Sequence, residues 1–346
     1  MTAASGGGAS PVVPGLAGRV VLALLSLAAV LGAGEAYLRW HHASRVTEML
    51  AGRAGTDLLT RATGDDRVYE LRPSTRLANS LGFHDIERQL AKPSGTYRIA
   101  AVGDSVTMQD GLPMEELYVS VLQQLLNARR PEARVEVLNF GVTGYGPRQE
   151  LALLRMRILD FAPDLVLWQF HDNDGADPMR GNADGSLVAY YSRPRSRLLW
   201  WVSRRLTAWD RSLFVRREGL QQVRPELVEQ LYHWDEVGEL FREVARLTAD
   251  RGIPVFLFLY PSWPNDTRWQ RYSDRGLEIH RRLTERFRSL GFAVLDLLPL
   301  LQQEDPSSLR LSSTDPWHPS ARGHRWIAER LAAWLLAEGP PPLGPR

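Results

Sequence analysis

The 346-residue chain contains no cysteine. Disulfides, thiolate chemistry and cysteine-built zinc or iron–sulfur sites are therefore excluded. The same absence is compatible with either side of a bacterial membrane. Lysine is almost absent too, so arginine supplies nearly all of the 42 basic residues set against 40 acidic ones, for a net charge of +2. We read the arginine bias as GC-rich coding. A chain this close to neutral lacks the basic excess of nucleic-acid-binding proteins, and no nucleic acid is expected as a partner. What remains is a globular composition, 44% apolar and 24% charged. Its length suits about two domains and a sizeable core.

Residues 1–15 are small and Gly/Pro-rich, the composition of a disordered segment. Leu16–Gly34 (LAGRVVLALLSLAAVLGAG) is nearly all apolar, with Arg19 close to one end. As a helix rising ~1.5 Å per residue it can just cross a ~30 Å hydrocarbon core. We expect a transmembrane anchor. The rival is a cleaved signal peptide, because Gly34-Glu35-Ala36 resembles a small-x-small cleavage site. The apolar run is longer than a usual signal core, which favours the anchor. A buried core helix does not need so uninterrupted an apolar surface. Only Arg19 marks the N-terminal side of the run, while Arg39, Arg45 and Arg53 follow it, a bias against export. Long domains, however, translocate largely regardless of flanking charge. The expected arrangement is a single-pass anchor with an extracytoplasmic C-terminal domain.

Residues 35–95 are irregular, with Pro and Gly breaks, and read as a membrane-proximal stalk and a loosely structured lead-in. From Thr96 the pattern changes. Apolar runs at 97–102 (YRIAAV), 135–140, 165–170 (LVLWQF), 254–259 (PVFLFL) and 293–297 read as strands. Residues 115–128, 149–160, 237–250, 277–290 and 321–336 carry helical periodicity. Strands alternating with helices predict an α/β domain over 96–337, three layers deep, with a parallel sheet covered on both faces. An insertion at 175–236 interrupts it, and residues 338–346 form a Pro/Gly-rich tail. In such sheets ligands bind beyond the carboxyl ends of the strands, so chemistry-bearing residues should follow strands.

Four segments do so. Gly103-Asp104-Ser105-Val106-Thr107 follows the first strand. Gly103 permits a tight turn, and Ser105 falls near a helix start, where free N–H groups favour negative charge. Alone, Asp104 or Ser105 would read as an N-cap. Asn139 to Gly146 (NFGVTGYG) follows the second strand; its glycines let backbone N–H groups approach a ligand, although a plain turn has the same composition. His171-Asp172-Asn173-Asp174 follows the third strand, and the Asn173 amide can donate to an oxyanion. Its acidic residues read as a solvated turn with local caps rather than a metal site. Asp315-Pro316-Trp317-His318-Pro319 lies between the last strand and the last helix. There the Asp315 carboxylate can accept the Nδ1 proton of His318 and leave Nε2 free as a base. His324, on the following helix, reads as structural.

Taken together and in this order, these segments closely resemble the SGNH (GDSL-like) hydrolase family, over roughly Thr96 to Leu336. The GDS and DxxH blocks are the specific ones. The resemblance implies a flavodoxin-like three-layer α/β/α sandwich, here preceded by the transmembrane helix, and a serine ester hydrolase. It casts Ser105 as nucleophile, His318 as general base and Asp315 as its orienting partner. The backbone N–H groups of Ser105 and Gly144, with the Asn173 amide, would form the oxyanion hole. No cofactor and no metal are implied. The family usually has glycine two residues before this asparagine; here that position is His171. Asn79-Ser80-Leu81-Gly82-Phe83 also resembles a lead-in of membrane-anchored bacterial members.

The expected substrate is an acyl or O-acetyl ester, on a glycan or a small molecule. If a sugar hydroxyl replaces water, the same site becomes an O-acyltransferase of an extracytoplasmic polysaccharide. A non-catalytic glycan-binding or scaffold module would leave the nucleophile–base–orienter set unexplained. Within the insertion, Arg195 to Arg217 mixes Trp200, Trp201 and Trp209 with many arginines. It reads either as a lid or interfacial helix facing lipid or glycan, or as a helical hairpin packed on the core.

Overall fold

A computed structural model describes residues 15–51, 60–63, 65–67, 69–75, 77–171, 174–175, 198, 233–261, 269–301, 303–312 and 315–343. Residues 1–14, nearly all of the insertion with its Trp/Arg-rich stretch, and residues 344–346 lie outside that set. The chain divides into two compact units, 1–54 with 193–217, and 55–192 with 218–346.

In the first unit, α1 (Leu16–Ala51) is one helix of 36 residues. The helix runs on past Gly34, where an irregular stretch was expected, as far as Ala51. Glu35-Ala36-Tyr37-Leu38-Arg39 has no proline and mostly strong helix formers, so the helix continues. Over Leu16–Trp40 it is long and apolar enough to cross a membrane, as an anchor or as a signal sequence. The leucines and valines from Leu16 to Leu31 are exposed. Glu35 is paired: Arg39 Nε donates to it at 2.6 Å, and the Leu198 N–H at 2.7 Å.

The second unit is built on five parallel strands, β3 (Thr96–Gly103), β4 (Arg134–Gly141), β5 (Leu165–His171), β6 (Val255–Tyr260) and β7 (Ala293–Asp296), in the order β4-β3-β5-β6-β7. Two further strands, β1 (Thr60–Ala62) and β2 (Tyr69–Leu71), pair antiparallel ahead of it. Period-2 alternation in β3 sends Ala100 and Val102 to one face and Ile99 and Ala101 to the other. The first face is covered by α4 (Pro147–Met156), α5 (Trp234–Ala249) and α6 (Trp269–Ser289), through residues such as Leu154, Phe241 and Phe287. The second is covered by α3 (Tyr118–Arg129) and α9 (Ala321–Glu338), through Leu122, Ile327 and Leu331. Burial on both faces is why these strands read as continuous apolar runs rather than as alternating ones. The strand order reverses at β3, whose neighbours are β4 on one side and β5 on the other, so the carboxyl ends of β3 and β5 form the switch point at which such sheets bind ligands.

The lead-in is not loose. Tyr69, Leu71, Leu77, Ala78 and Phe83 are all buried. Phe83 packs edge-on against Phe140 and Phe161, with centroids at 4.7 and 5.7 Å. The Asn79 side chain ties its turn together, accepting from the N–H groups of Leu81 and Phe83 and donating to Ile86 O. These contacts have no regular spacing in sequence, and a periodicity search passes over them. The insertion has a closed neck: it leaves at Gly175 and returns at His233, whose N–H donates to Gly175 O at 2.8 Å.

Candidate active site

Ser105 opens α2 (Ser105–Met108), a single turn placed directly after β3. One turn carries little macrodipole, so its place in the fold matters more than the helix as a charge. Asp104 is the N-cap, and its carboxylate accepts the Val106 N–H at 2.8 Å. Gln169, from the middle of β5, lies beneath. Its Oε1 accepts the Asp104 N–H at 3.2 Å and the Thr107 hydroxyl at 3.1 Å. Thr107 also bonds the Tyr118 hydroxyl at 2.9 Å. Gly103 has a role beyond turning the chain. A Cβ there would sit 2.4 Å from Thr107 Oγ1 and 2.5 Å from Gln169 Oε1, so only glycine lets Gln169 come this close. Gln169 was not expected at the site, and Thr107 was expected only as the last residue of its block, with no role of its own. The available signal was a polar residue inside the otherwise apolar LVLWQF strand, which must find partners when buried.

Asp315 and His318 were expected between the last strand and the last helix, outside any regular element. They lie on a short strand, β9 (Asp315–Pro319), paired antiparallel with β8 (Arg310–Ser312). The two prolines of the segment suit an edge ribbon whose ladder is short. The ribbon is fastened at its open end: Ser320 N donates to Leu309 O at 2.7 Å, and Gln109 Nε2, just past α2, donates to Pro319 O at 3.3 Å. His318 is thereby aimed at Ser105. Nε2 lies 3.0 Å from Ser105 Oγ, and Nδ1 lies 2.9 Å from Asp315 Oδ2. The other carboxylate oxygen accepts the His318 backbone N–H at 3.0 Å. With Nδ1–H donated to the carboxylate, Nε2 holds the lone pair that faces the hydroxyl.

The β4 loop brings Gly144 to the same end of the sheet. Gly141 N donates to Asn139 Oδ1, and Asn139 Nδ2 donates to Thr107 O, which ties the loop to α2. Ser105, Thr143, Gly144, Asp315 and His318 are partly exposed, whereas the flanking Val106, Val142 and Tyr145 are buried. Asn173 and Asp172 lie outside the described residues. The two described residues that flank them, His171 and Asp174, are buried rather than solvated. Asp174 accepts the His171 N–H at 2.8 Å, and the His171 ring stacks on Tyr260. His324 is buried in α9, and its Nδ1 accepts the Tyr118 N–H at 3.1 Å. Burial, with a smaller push from the charge of His318, lowers its pKa to about 3. A buried neutral imidazole that accepts a backbone N–H fits the structural role. Among the described residues no group of three or more His, Asp or Glu could hold a metal ion.

The profile of the GDSL-like lipase/acylhydrolase family matches residues 101–326, a span that contains Ser105, Gly144, Asp315 and His318. The chain belongs to this family. It is a GDSL-like, SGNH-type, ester-hydrolysing enzyme. No curated protein matches it. Among solved structures, this GDSL-like hydrolase is similar to TesA, at 17% identity over 69% of this chain and 98% of that one, with a TM-score of 0.44. It is similar to Axe2, an acetylxylan esterase from Geobacillus stearothermophilus, at 16% over 71% and 97%, with a TM-score of 0.45. It is also similar to LAE5, an alpha/beta hydrolase enzyme from the metagenome of Lake Arreo, Spain, at 22% over 68% and 94%, with a TM-score of 0.41. Neighbours this distant say nothing about the substrate.

Proposed function

We propose that the protein hydrolyses acyl esters through an acyl-enzyme on Ser105, with His318 as general base and Asp315 holding the imidazole in the useful tautomer. The observation that carries this reading is the unbroken Ser105 Oγ–His318 Nε2 and His318 Nδ1–Asp315 chain at 3.0 and 2.9 Å. Ser105 Oγ attacks the ester carbonyl carbon while its proton passes to His318 Nε2. The carbonyl oxygen takes up the negative charge, and the N–H groups of Ser105 and Gly144, with the Asn173 amide, are the donors that meet it. The tetrahedral species collapses, the C–O bond to the alcohol breaks, and His318 returns the proton to the leaving oxygen. Water then attacks the acyl-enzyme with His318 again as base, releasing the acid and regenerating Ser105.

The substrate class in this proposal is an acylated glycan or a small acyl ester met outside the cytoplasm. It draws on an anchor at residues 16–34 that leaves the hydrolase domain, 96–337, extracytoplasmic. The length of the exposed apolar surface of α1 supports the anchor, and a processed signal sequence is the rival that the N-terminus of the mature protein would reveal. A serine-directed fluorophosphonate tests the site, and graded acyl esters offered with water alone or with sugar acceptors test the substrate. Wild type should be labelled at Ser105, and Ser105→Ala should not be labelled. Labelling of another serine would overturn the assignment. Acyl transfer to sugar in preference to water would make the protein an O-acyltransferase.

A further inference from the structure

Tyr69 lies in the lead-in, 74 residues before Thr143, yet its hydroxyl donates to the Thr143 carbonyl oxygen. Tyr145 returns the bond, donating its hydroxyl to the Tyr69 carbonyl oxygen. The two rings meet edge to face, with centroids at 5.2 Å and planes at 73°. Both are wholly buried. Burial pushes the Tyr145 phenol above its ordinary range, so it stays a protonated donor. The two tyrosines bracket Gly144, which is partly exposed between them.

Gly144 sits at φ +79°, the left-handed region that glycine occupies without strain. Residues so unrestrained rotate easily, and a rotated peptide would turn an N–H away from the site. The peptide joining Thr143 to Gly144 is planar and trans, so its C=O and N–H point in opposite directions. A bond that fixes the Thr143 oxygen therefore fixes the Gly144 N–H. On the other side of Thr143, its own N–H and hydroxyl contact Met108 Sδ at 3.4 and 3.2 Å. Met108 ends the turn that begins with Ser105. The loop is thus held from the lead-in at one atom and from the nucleophile's own turn at another.

We propose that Tyr69 is a positioning residue for the oxyanion hole: its hydroxyl locks the Thr143–Gly144 peptide so that the Gly144 N–H faces the reacting carbonyl. This rests on the reading of Gly144 as an oxyanion donor. It also makes the lead-in a working part of the hydrolase rather than a spacer.

The test uses detergent-solubilised full-length protein and three variants, Tyr69→Phe, Tyr145→Phe and Ser105→Ala. The readouts are kcat and KM on a p-nitrophenyl ester, the affinity of an alkylboronic acid that mimics the tetrahedral species, and Tm. Rates are expressed per site titrated with a fluorophosphonate, so that only folded enzyme counts. Tyr69→Phe keeps the ring and should lower kcat roughly 10-fold at near-constant KM, short of the 10²–10³-fold for a donor lost outright. Boronate affinity should fall by the same factor. Tyr145→Phe leaves the bond to Thr143 in place, so it should lower Tm while costing less in kcat. A Tyr69→Phe kcat within about twofold of wild type would overturn the proposal. So would a loss confined to KM, an unchanged boronate affinity, or an equal loss in Tyr145→Phe. Turnover retained by Ser105→Ala would instead remove the active-site reading itself, and that arm is scored separately.

Discussion

His318 Nε2 lies 3.0 Å from the Ser105 hydroxyl across 213 residues of sequence. Nothing local could bring them together. The meeting depends on β3 ending where the β8–β9 ribbon crosses the carboxyl edge of the sheet, and on the Gln109 amide that holds the ribbon to α2.

In the proposed mechanism hydroxyl and imidazole act as one unit, so Ser105→Ala and His318→Ala should each lower kcat by roughly 10⁴-fold or more, and the double variant should lose no more than either single one. Asp315→Asn should cost less, since it spoils the tautomer and not the base itself. Additive losses in the double variant would mean that the two side chains do not work on the same step.

His324 makes a prediction about stability against pH. Its folded-state pKa is lowered to about 3 by burial first, from an ordinary value of 6.5. As pH falls below about 6.5 the unfolded chain takes a proton on this ring and the folded chain does not. Its contribution is therefore intact above about pH 6.5 and is lost progressively down to about pH 3. His324→Asn keeps an acceptor for the Tyr118 N–H and should flatten the stability profile in that window, even if it is less stable throughout. Urea midpoints at pH 4, 5 and 7 that run parallel in wild type and variant would contradict this.

Gly141 closes β4 against α2. An added Cβ would lie 2.4 Å from Met108 N and 2.8 Å from the Thr107 carbonyl carbon, both of them backbone atoms that cannot step aside alone. Gly141→Ala should cost about 1–3 kcal/mol or more, as overpacking does, and should lower kcat as well, because the displaced turn carries Ser105. Thermal unfolding and kinetics on the same preparation would check both; full activity at unchanged Tm is the contrary result.

Full-length protein should sediment with membranes, and truncation before Thr56 should release a soluble, active domain. Fractionation reads the first outcome, and mass spectrometry of the N-terminus separates an intact anchor from a processed signal. Unprocessed full-length protein found in the soluble fraction would rule out the anchor.

The strands were legible in the sequence, and so were Ser105, Asp315 and His318 as the candidates that the structure brings within hydrogen-bond distance of one another. Each depends on local information: a buried run of one length, a glycine or polar residue at its carboxyl end, a side chain with the right functional group. The packed lead-in was not legible, because Tyr69 and Phe83 find partners on β4 and its loop with no periodic spacing to announce them. Nor was Gln169, whose value lies in two hydrogen bonds to a turn more than sixty residues earlier. Residue type states what a group can donate or accept, and short-range pattern states which face of an element it is on. Direction and distance come only when separate elements are packed together. That is why Tyr69, an ordinary aromatic in an irregular stretch, becomes the donor that holds a peptide of the site in place.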